Sequence, residues 1–219
     1  MSKQISPSLM CCDFINIKPQ LDVFKDNNIE YLHIDVMDGE YVPNYALGVD
    51  FIKQLKGYTD IPVDIHLMIE DTDRKLQYIP FGEGDIVSIH YETTKHLQRA
   101  ITLIKEKGAK AFVAINPATS LSVLEEVLDD IDGVLLMTVN PGFAGQKLIP
   151  STINKIKKLK QLIENSEKDI QIEVDGNVSF DNAVTMSLAG ADIFVAGTSS
   201  VFKTSDISKN IETLRKAIN

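Results

Sequence analysis

The chain has 219 residues, 44% of them hydrophobic and 24% charged, an ordinary globular composition that excludes collagen-like, fibrous and intrinsically disordered classes. Its 22 basic and 31 acidic residues leave a formal net charge of −9, so a nucleic acid or an acidic membrane lacks its usual electrostatic footprint and any anionic ligand must be held locally. No apolar run reaches the roughly 18 residues of a membrane span, residues 1–4 lead into a strand-like run with no signal-peptide core, and the only cysteines, Cys11 and Cys12, are chain neighbours ill-placed for a disulfide. A cytoplasmic protein in a reducing compartment is expected, with no membrane and no nucleic-acid partner.

Eight short apolar or β-branched runs follow one another along the chain, at 5–10, 31–36, 63–68, 86–90, 111–116, 133–139, 170–175 and 193–197. Their starts lie about 27 residues apart, room for one strand, one helix and two loops of a parallel sheet. Between them, residues 101–104, 121–128, 153–163 and 207–218 carry apolar side chains at three-to-four spacing, as amphipathic helices do. No linker or low-complexity segment interrupts the series, so residues 1–219 read as a single domain. Eight such units in this length predict an α/β fold, a closed (β/α)8 TIM barrel. An open doubly wound sheet is the alternative, but its GxGxxG turn after the first strand is replaced here by Met10-Cys11-Cys12-Asp13.

Residues two apart in a strand share a face. One set in each run is apolar: Pro7 and Leu9; Leu32, Ile34 and Val36; Val63, Ile65 and Leu67; Ile172 and Val174. The opposite set is polar: Ser6 and Ser8; His33 and Asp35; Asp64 and His66; Ser88 and His90; Glu173 and Asp175. A barrel interior is normally filled by branched apolar chains, and barrel chemistry sits at the carboxyl ends of the strands. His33, Asp35, His66, His90 and Asp175 fall nearest those ends. Imidazoles and carboxylates converging there suit zinc, manganese or ferrous iron; a hydrogen-bonded polar plug is the alternative.

Small-residue turns follow the last three runs: Asn140-Pro141-Gly142-Phe143-Ala144-Gly145-Gln146, Gly176-Asn177 and Gly197-Thr198-Ser199-Ser200. Exposed backbone N–H groups in such turns bind anions, and barrels commonly hold phosphate after strands seven and eight. Three of them around one mouth favour a phosphorylated substrate, although each alone also reads as an ordinary turn. No Walker lysine signature occurs.

With the segments SPSLMCCDF (6–14), HIDVMDGEYVPN (33–44), DIHLM (64–68), INPAT (115–119), MTVNPGFAGQKLIP (137–150), EVDGNVS (173–179) and AGTSSVF (196–202), the sequence resembles the ribulose-phosphate 3-epimerase family over essentially its whole length. The resemblance implies a TIM barrel of the ribulose-phosphate-binding type, an isomerase inverting carbon 3 of a ketose phosphate, a divalent metal and a homo-oligomer. It implies His33, Asp35, His66 and Asp175 as metal ligands, with Asp35 and Asp175 also the acid/base catalysts. Ser8 and His66 would touch the sugar. Gly142, Phe143, Ala144, Gly145, Gly176, Asn177, Gly197, Thr198 and Ser199 would grip the phosphate. Met37, Met68 and Met137 would line the pocket, where unbranched thioethers follow a changing planar intermediate; each also suits simple core filling. Zinc is the first expectation for the metal, with iron, manganese and cobalt as alternatives.

That chemistry explains the residue types. A carbon-bound hydrogen beside a carbonyl is a very weak acid and an aspartate of ordinary pKa near 3.9 a weak base, so the enediolate needs Lewis-acid stabilisation. Inversion also needs proton removal on one face and delivery on the other, hence two carboxyls with opposite protonation. The SLMC start, Ala144 and Thr198-Ser199 resemble the branch acting on D-allulose 6-phosphate, toward which this reading leans. Asn140 and Asn116-Pro117-Ala118-Thr119 resemble the D-ribulose 5-phosphate enzyme, the alternative. A related decarboxylase would want an Asp-x-Lys-x-x-Asp array, and the lysine is missing from His33-Ile34-Asp35-Val36-Met37-Asp38. A non-catalytic sugar-phosphate-binding barrel has no use for paired catalytic aspartates.

Overall fold

Hydrogen bonds between neighbouring runs join nine strands into one sheet. The structure, a computed structural model, describes residues 2–219. The strands are β1 (Gln4–Pro7), β2 (Leu32–Asp38), β3 (Tyr45–Ala46), β4 (Val63–Met68), β5 (Ile86–His90), β6 (Lys110–Ile115), β7 (Gly133–Met137), β8 (Gln171–Asp175) and β9 (Ile193–Ala196). Their order is β1-β9-β8-β7-β6-β5-β4-β2-β3, every pairing parallel except β2 with β3. A parallel bridge between Ser8 and His33 brings the chain just beyond β1 onto β2 and closes eight strands into a barrel. Helices α1 (Ile17–Asp26), α2 (Val49–Lys56), α3 (Thr72–Lys75), α4 (Leu97–Glu106), α5 (Ser151–Ser166), α6 (Phe180–Ala189) and α7 (Ile207–Ile218) lie between and after the strands.

The predicted alternation holds. Leu32, Ile34, Val63, Ile65, Leu67, Ile172 and Val174 are fully buried in one core with Phe24, Ile52, Ile101, Ile104, Ile156, Leu159 and Leu214 of the helices. Each such side chain contributes about 1.5–3 kcal/mol of apolar burial. The interior of the barrel is divided. Its apolar half comes from Phe112, Ala114, Leu135, Met137, Ile193 and Val195 on β6, β7 and β9. Gly133 makes room for it, because a Cβ there would lie 2.3 Å from the Phe112 ring. The polar half comes from β1, β2, β4, β5 and β8.

Three local features differ from the expectation. The first run ends as a strand at Pro7, and residues Leu9–Cys11 wind into a 3-10 turn closed by Cys11 N–H donating to the Ser8 carbonyl at 3.0 Å. The run at 121–128 forms a 3-10 helix, Leu121–Val127, rather than an α-helix. Leu124 and Val127 are its buried residues, and with Leu121 they recur every three positions, the period of a three-residue turn. Finally, β3 is an antiparallel return after β2: Asp38 Oδ1 accepts from the N–H groups of Glu40 and Tyr41, turning the chain at Gly39, whose φ is +77°. No helix among the described residues is long and apolar enough to cross a membrane.

Candidate active site

Strand register assembles the polar groups. In the β2–β4 pair, His33 stands opposite Asp64, Asp35 opposite His66 and Met37 opposite Met68. Across the barrel, Met137 pairs with Asp175. Since all these strands are parallel, side chains at equal height converge on the axis. His33 Nε2 lies 3.4 Å from Asp35 Oδ1, and His66 Nδ1 lies 3.5 Å from Asp35 Oδ1 and 3.7 Å from Asp175 Oδ2. Ser8 donates its hydroxyl to Asp35 Oδ2 at 2.8 Å.

The outer nitrogens of both imidazoles are occupied. His33 Nδ1 lies 2.6 Å from Asp64 Oδ2, which also accepts the Ser6 hydroxyl at 2.8 Å. His66 Nε2 lies 2.8 Å from His90 Nε2. The inner nitrogens, His33 Nε2 and His66 Nδ1, are buried with no hydrogen-bond partner among the described residues. Each such orphan costs about 1–3 kcal/mol unless something else satisfies it. One donor atom from each of His33, Asp35, His66 and Asp175 lies within 4.8 Å of the others, two nitrogens and two oxygens, which fits a four-coordinate divalent ion. His33, Asp64 and Glu173 also cluster, but there the histidine nitrogen is already committed to Asp64, as the supporting carboxylate of a ligating histidine is.

The two aspartates are electrostatically opposite. Burial alone would raise the Asp35 pKa, yet the His33 charge and the close approach of both imidazoles hold it well below the usual carboxylate range. Burial pushes Asp175 up to about 7, with Asp35 and Asp64 adding to the rise and His33 opposing it. Burial would lower His33, but Asp64 and Asp35 more than offset it and raise its pKa well above the ordinary value. A divalent cation among these donors would take over that charge balance. Burial lowers both His66 and His90, the latter to about 4, and burial together with the Asp64 charge raises Glu173 well above its ordinary value.

Above the cluster a cleft opens to solvent at the carboxyl ends of the strands. Ser8, Asp35, Met37, Met68, Met137, Gly142, Phe143, Ala144, Gly145, Asp175, Gly176, Asn177, Gly197, Thr198 and Ser199 all line it. His66, expected to touch the sugar, is fully buried with His33, and its Nδ1 faces the cluster. Met10 and Cys11 line the cleft as well, because the 3-10 turn after β1 swings them inward, something a straight strand does not predict. Asp64 and His90 support His33 and His66, and alternation alone shows only that they face inward.

The glycine turns are built for close approach. Gly176 has φ +124°, and a Cβ there would lie 2.7 Å from the Val139 nitrogen, so no other residue fits without moving the chain just after β7. Asn177 donates its Nδ2 to the Gln146 carbonyl at 2.7 Å, while Gln146 Nε2 donates to the carbonyls of Asn140 and Phe143 at 2.6 and 3.0 Å. These bonds tie the turns after β7 and β8 into one rim. Asn44 Nδ2, donating to the Gly142 carbonyl at 2.8 Å, anchors the rim from the opposite wall.

The family model for the ribulose-phosphate 3 epimerase family matches residues 4–202. The ribulose-phosphate 3-epimerase of Bacillus subtilis is 44% identical over 213 residues, covering 97% of this chain and 98% of that protein. That of Escherichia coli K12 is 40% identical over 215 residues, covering 98% and 95%. Among solved structures, 3-hexulose-6-phosphate synthase from Salmonella typhimurium superposes with a TM-score of 0.66 at 17% identity, covering 98% of both chains, which speaks to the barrel fold alone. With near-complete coverage on both sides, the chain belongs to the ribulose-phosphate 3-epimerase family.

Proposed function

We propose that this epimerase interconverts D-ribulose 5-phosphate and D-xylulose 5-phosphate by proton transfer at carbon 3 between Asp35 and Asp175. The observation that carries the reading is the convergence of these two carboxyls, with His33 and His66, in one cluster at the cleft floor; burial raises the Asp175 pKa, whereas the neighbouring imidazoles lower that of Asp35. Asp35, ionised, accepts the carbon 3 hydrogen as a proton, leaving its electron pair in a planar enediolate. Asp175, carrying a proton near neutral pH, delivers it to the other face, and the new C–H bond completes inversion. The reverse reaction starts with the proton on Asp35, so the two exchange roles.

His33, Asp35, His66 and Asp175 would hold a divalent ion, zinc being the first to test for two nitrogen and two oxygen donors, with iron, manganese and cobalt sharing those ligands. When bound, that ion supplies Lewis-acid stabilisation of the charge developing on the substrate oxygens. Ser8 keeps Asp35 oriented through its 2.8 Å hydrogen bond. Met37, Met68 and Met137 form an apolar wall that accommodates the tetrahedral and planar forms alike. The turns at Gly142–Gly145, Gly176-Asn177 and Gly197–Ser199 present the phosphate site, whose binding energy holds carbon 3 in register.

The residues around Cys11 lean toward D-allulose 6-phosphate, but the relatives described above are named for the five-carbon reaction, which supports the pentulose. Purified protein assayed on both sugars is expected to show kcat/KM at least about tenfold higher for ribulose 5-phosphate, which corresponds to about 1.4 kcal/mol of transition-state discrimination. A preference of that size for allulose 6-phosphate would reverse the assignment.

A further inference from the structure

The hydrogen-bond series runs past the four clustered donors into groups the reaction does not touch. His66 Nε2 and His90 Nε2 face each other at 2.8 Å, and both rings are fully buried. Two ring nitrogens at that distance share one hydrogen, so one donates and the other accepts. On its far side, His90 Nδ1 lies 3.1 Å from Glu92 Oε2 and 3.1 Å from the Tyr41 hydroxyl. Glu92 Oε1 accepts the Asn116 backbone N–H at 2.9 Å and the Thr119 hydroxyl, fixing the carboxylate on the loop after β6.

An ionised carboxylate only accepts. Glu92 therefore requires a hydrogen on His90 Nδ1, which makes His90 Nε2 an acceptor and places the shared hydrogen on His66 Nε2. His66 Nδ1 is then a bare lone pair aimed at Asp35 and Asp175. We infer that His90 and Glu92 are positioning residues, which fix His66 in its Nε2–H tautomer and so present Nδ1 to the ion. The inference rests on the metal site proposed above. A carboxylate at the rim sets the direction of the series, and a neutral hydrogen-bonded plug has no need of a set direction.

Glu92→Gln tests this, because its single amide oxygen has the Asn116 N–H and Thr119 hydroxyl to satisfy. The amide NH₂ then faces His90 Nδ1 and reverses the series, putting a hydrogen on His66 Nδ1. Cobalt(II) titrated into metal-free protein against a chelating dye is expected to bind Glu92→Gln about 10–100-fold more weakly than the parent, the usual effect of losing a supporting partner. In the metal-free parent, ¹⁵N NMR should find His66 with its hydrogen on Nε2. Equal cobalt affinity in a folded variant, or a parent His66 protonated on Nδ1, would overturn the inference; the NMR result decides alone if the variant does not fold. A parent that takes up no cobalt overturns the metal site itself and this inference with it, whereas parental binding with no difference in the variant removes only the inference.

Discussion

Asp35→Asn is expected to lower turnover by at least about 10³-fold with the barrel intact. General acid–base groups alone contribute about 10²–10⁴-fold, and Asp35 also offers one of the four clustered donors, so the loss should sit toward the upper end. Asparagine keeps the shape and can still accept the Ser8 hydroxyl through its amide oxygen, which leaves the Ser8–Asp35 contact available and the strand register unchanged. It cannot accept a proton from carbon. Asp175→Asn should be comparably damaging, since it removes the carboxyl whose pKa burial pushes up to about 7. Steady-state kinetics together with circular dichroism check this pair. A folded Asp35→Asn variant retaining more than a tenth of parental kcat would remove Asp35 from the chemistry.

Stripping the protein of divalent ions is expected to remove activity by 10³-fold or more. Lewis-acid stabilisation of developing charge amounts to several kcal/mol, and each 1.36 kcal/mol is a factor of ten in rate. Asp35 is held ionised, well below the carboxylate range, and is a weak base on its own. His33 and His66 each offer a buried nitrogen that has no hydrogen-bond partner among the described residues, as ligating imidazoles would. Dialysis against a chelator, with residual metal measured, followed by addition of zinc, manganese, cobalt or ferrous iron checks the loss and the recovery. Metal-free protein with parental activity would contradict the role given to the cluster.

Much of the fold and of the cluster is legible in the sequence. The period-two alternation in His33-Ile34-Asp35 and Asp64-Ile65-His66 places the polar groups inside, because parallel pairing preserves height along neighbouring strands. The glycine turns were visible because positive φ at Gly142, Gly145 and Gly176 selects glycine. What alternation could not do was rank the inward groups. Asp64 and Asp35 look equivalent in sequence, yet one braces the outer nitrogen of His33 and the other joins the cluster, a difference set by depth in the barrel. Depth likewise sets how His66 sits, fully buried with its Nδ1 toward the cluster. The turn at Leu9–Cys11 escaped because Pro7 and Leu9 continue the alternation while the backbone has already left the strand. The two-residue β3 is too short to carry a periodic signal.

The origin of the hydrogen on carbon 3 of the product tests the two-carboxyl scheme most directly. In deuterium oxide, Asp175 exchanges its proton before substrate arrives, while the hydrogen removed from carbon 3 goes to Asp35. Mass spectrometry of product from the earliest turnovers should therefore show essentially one deuterium per molecule, in both directions of reaction. Product that keeps the hydrogen of its own substrate would mean that a single group removes and returns it, and the assignment of opposite faces to Asp35 and Asp175 would be wrong.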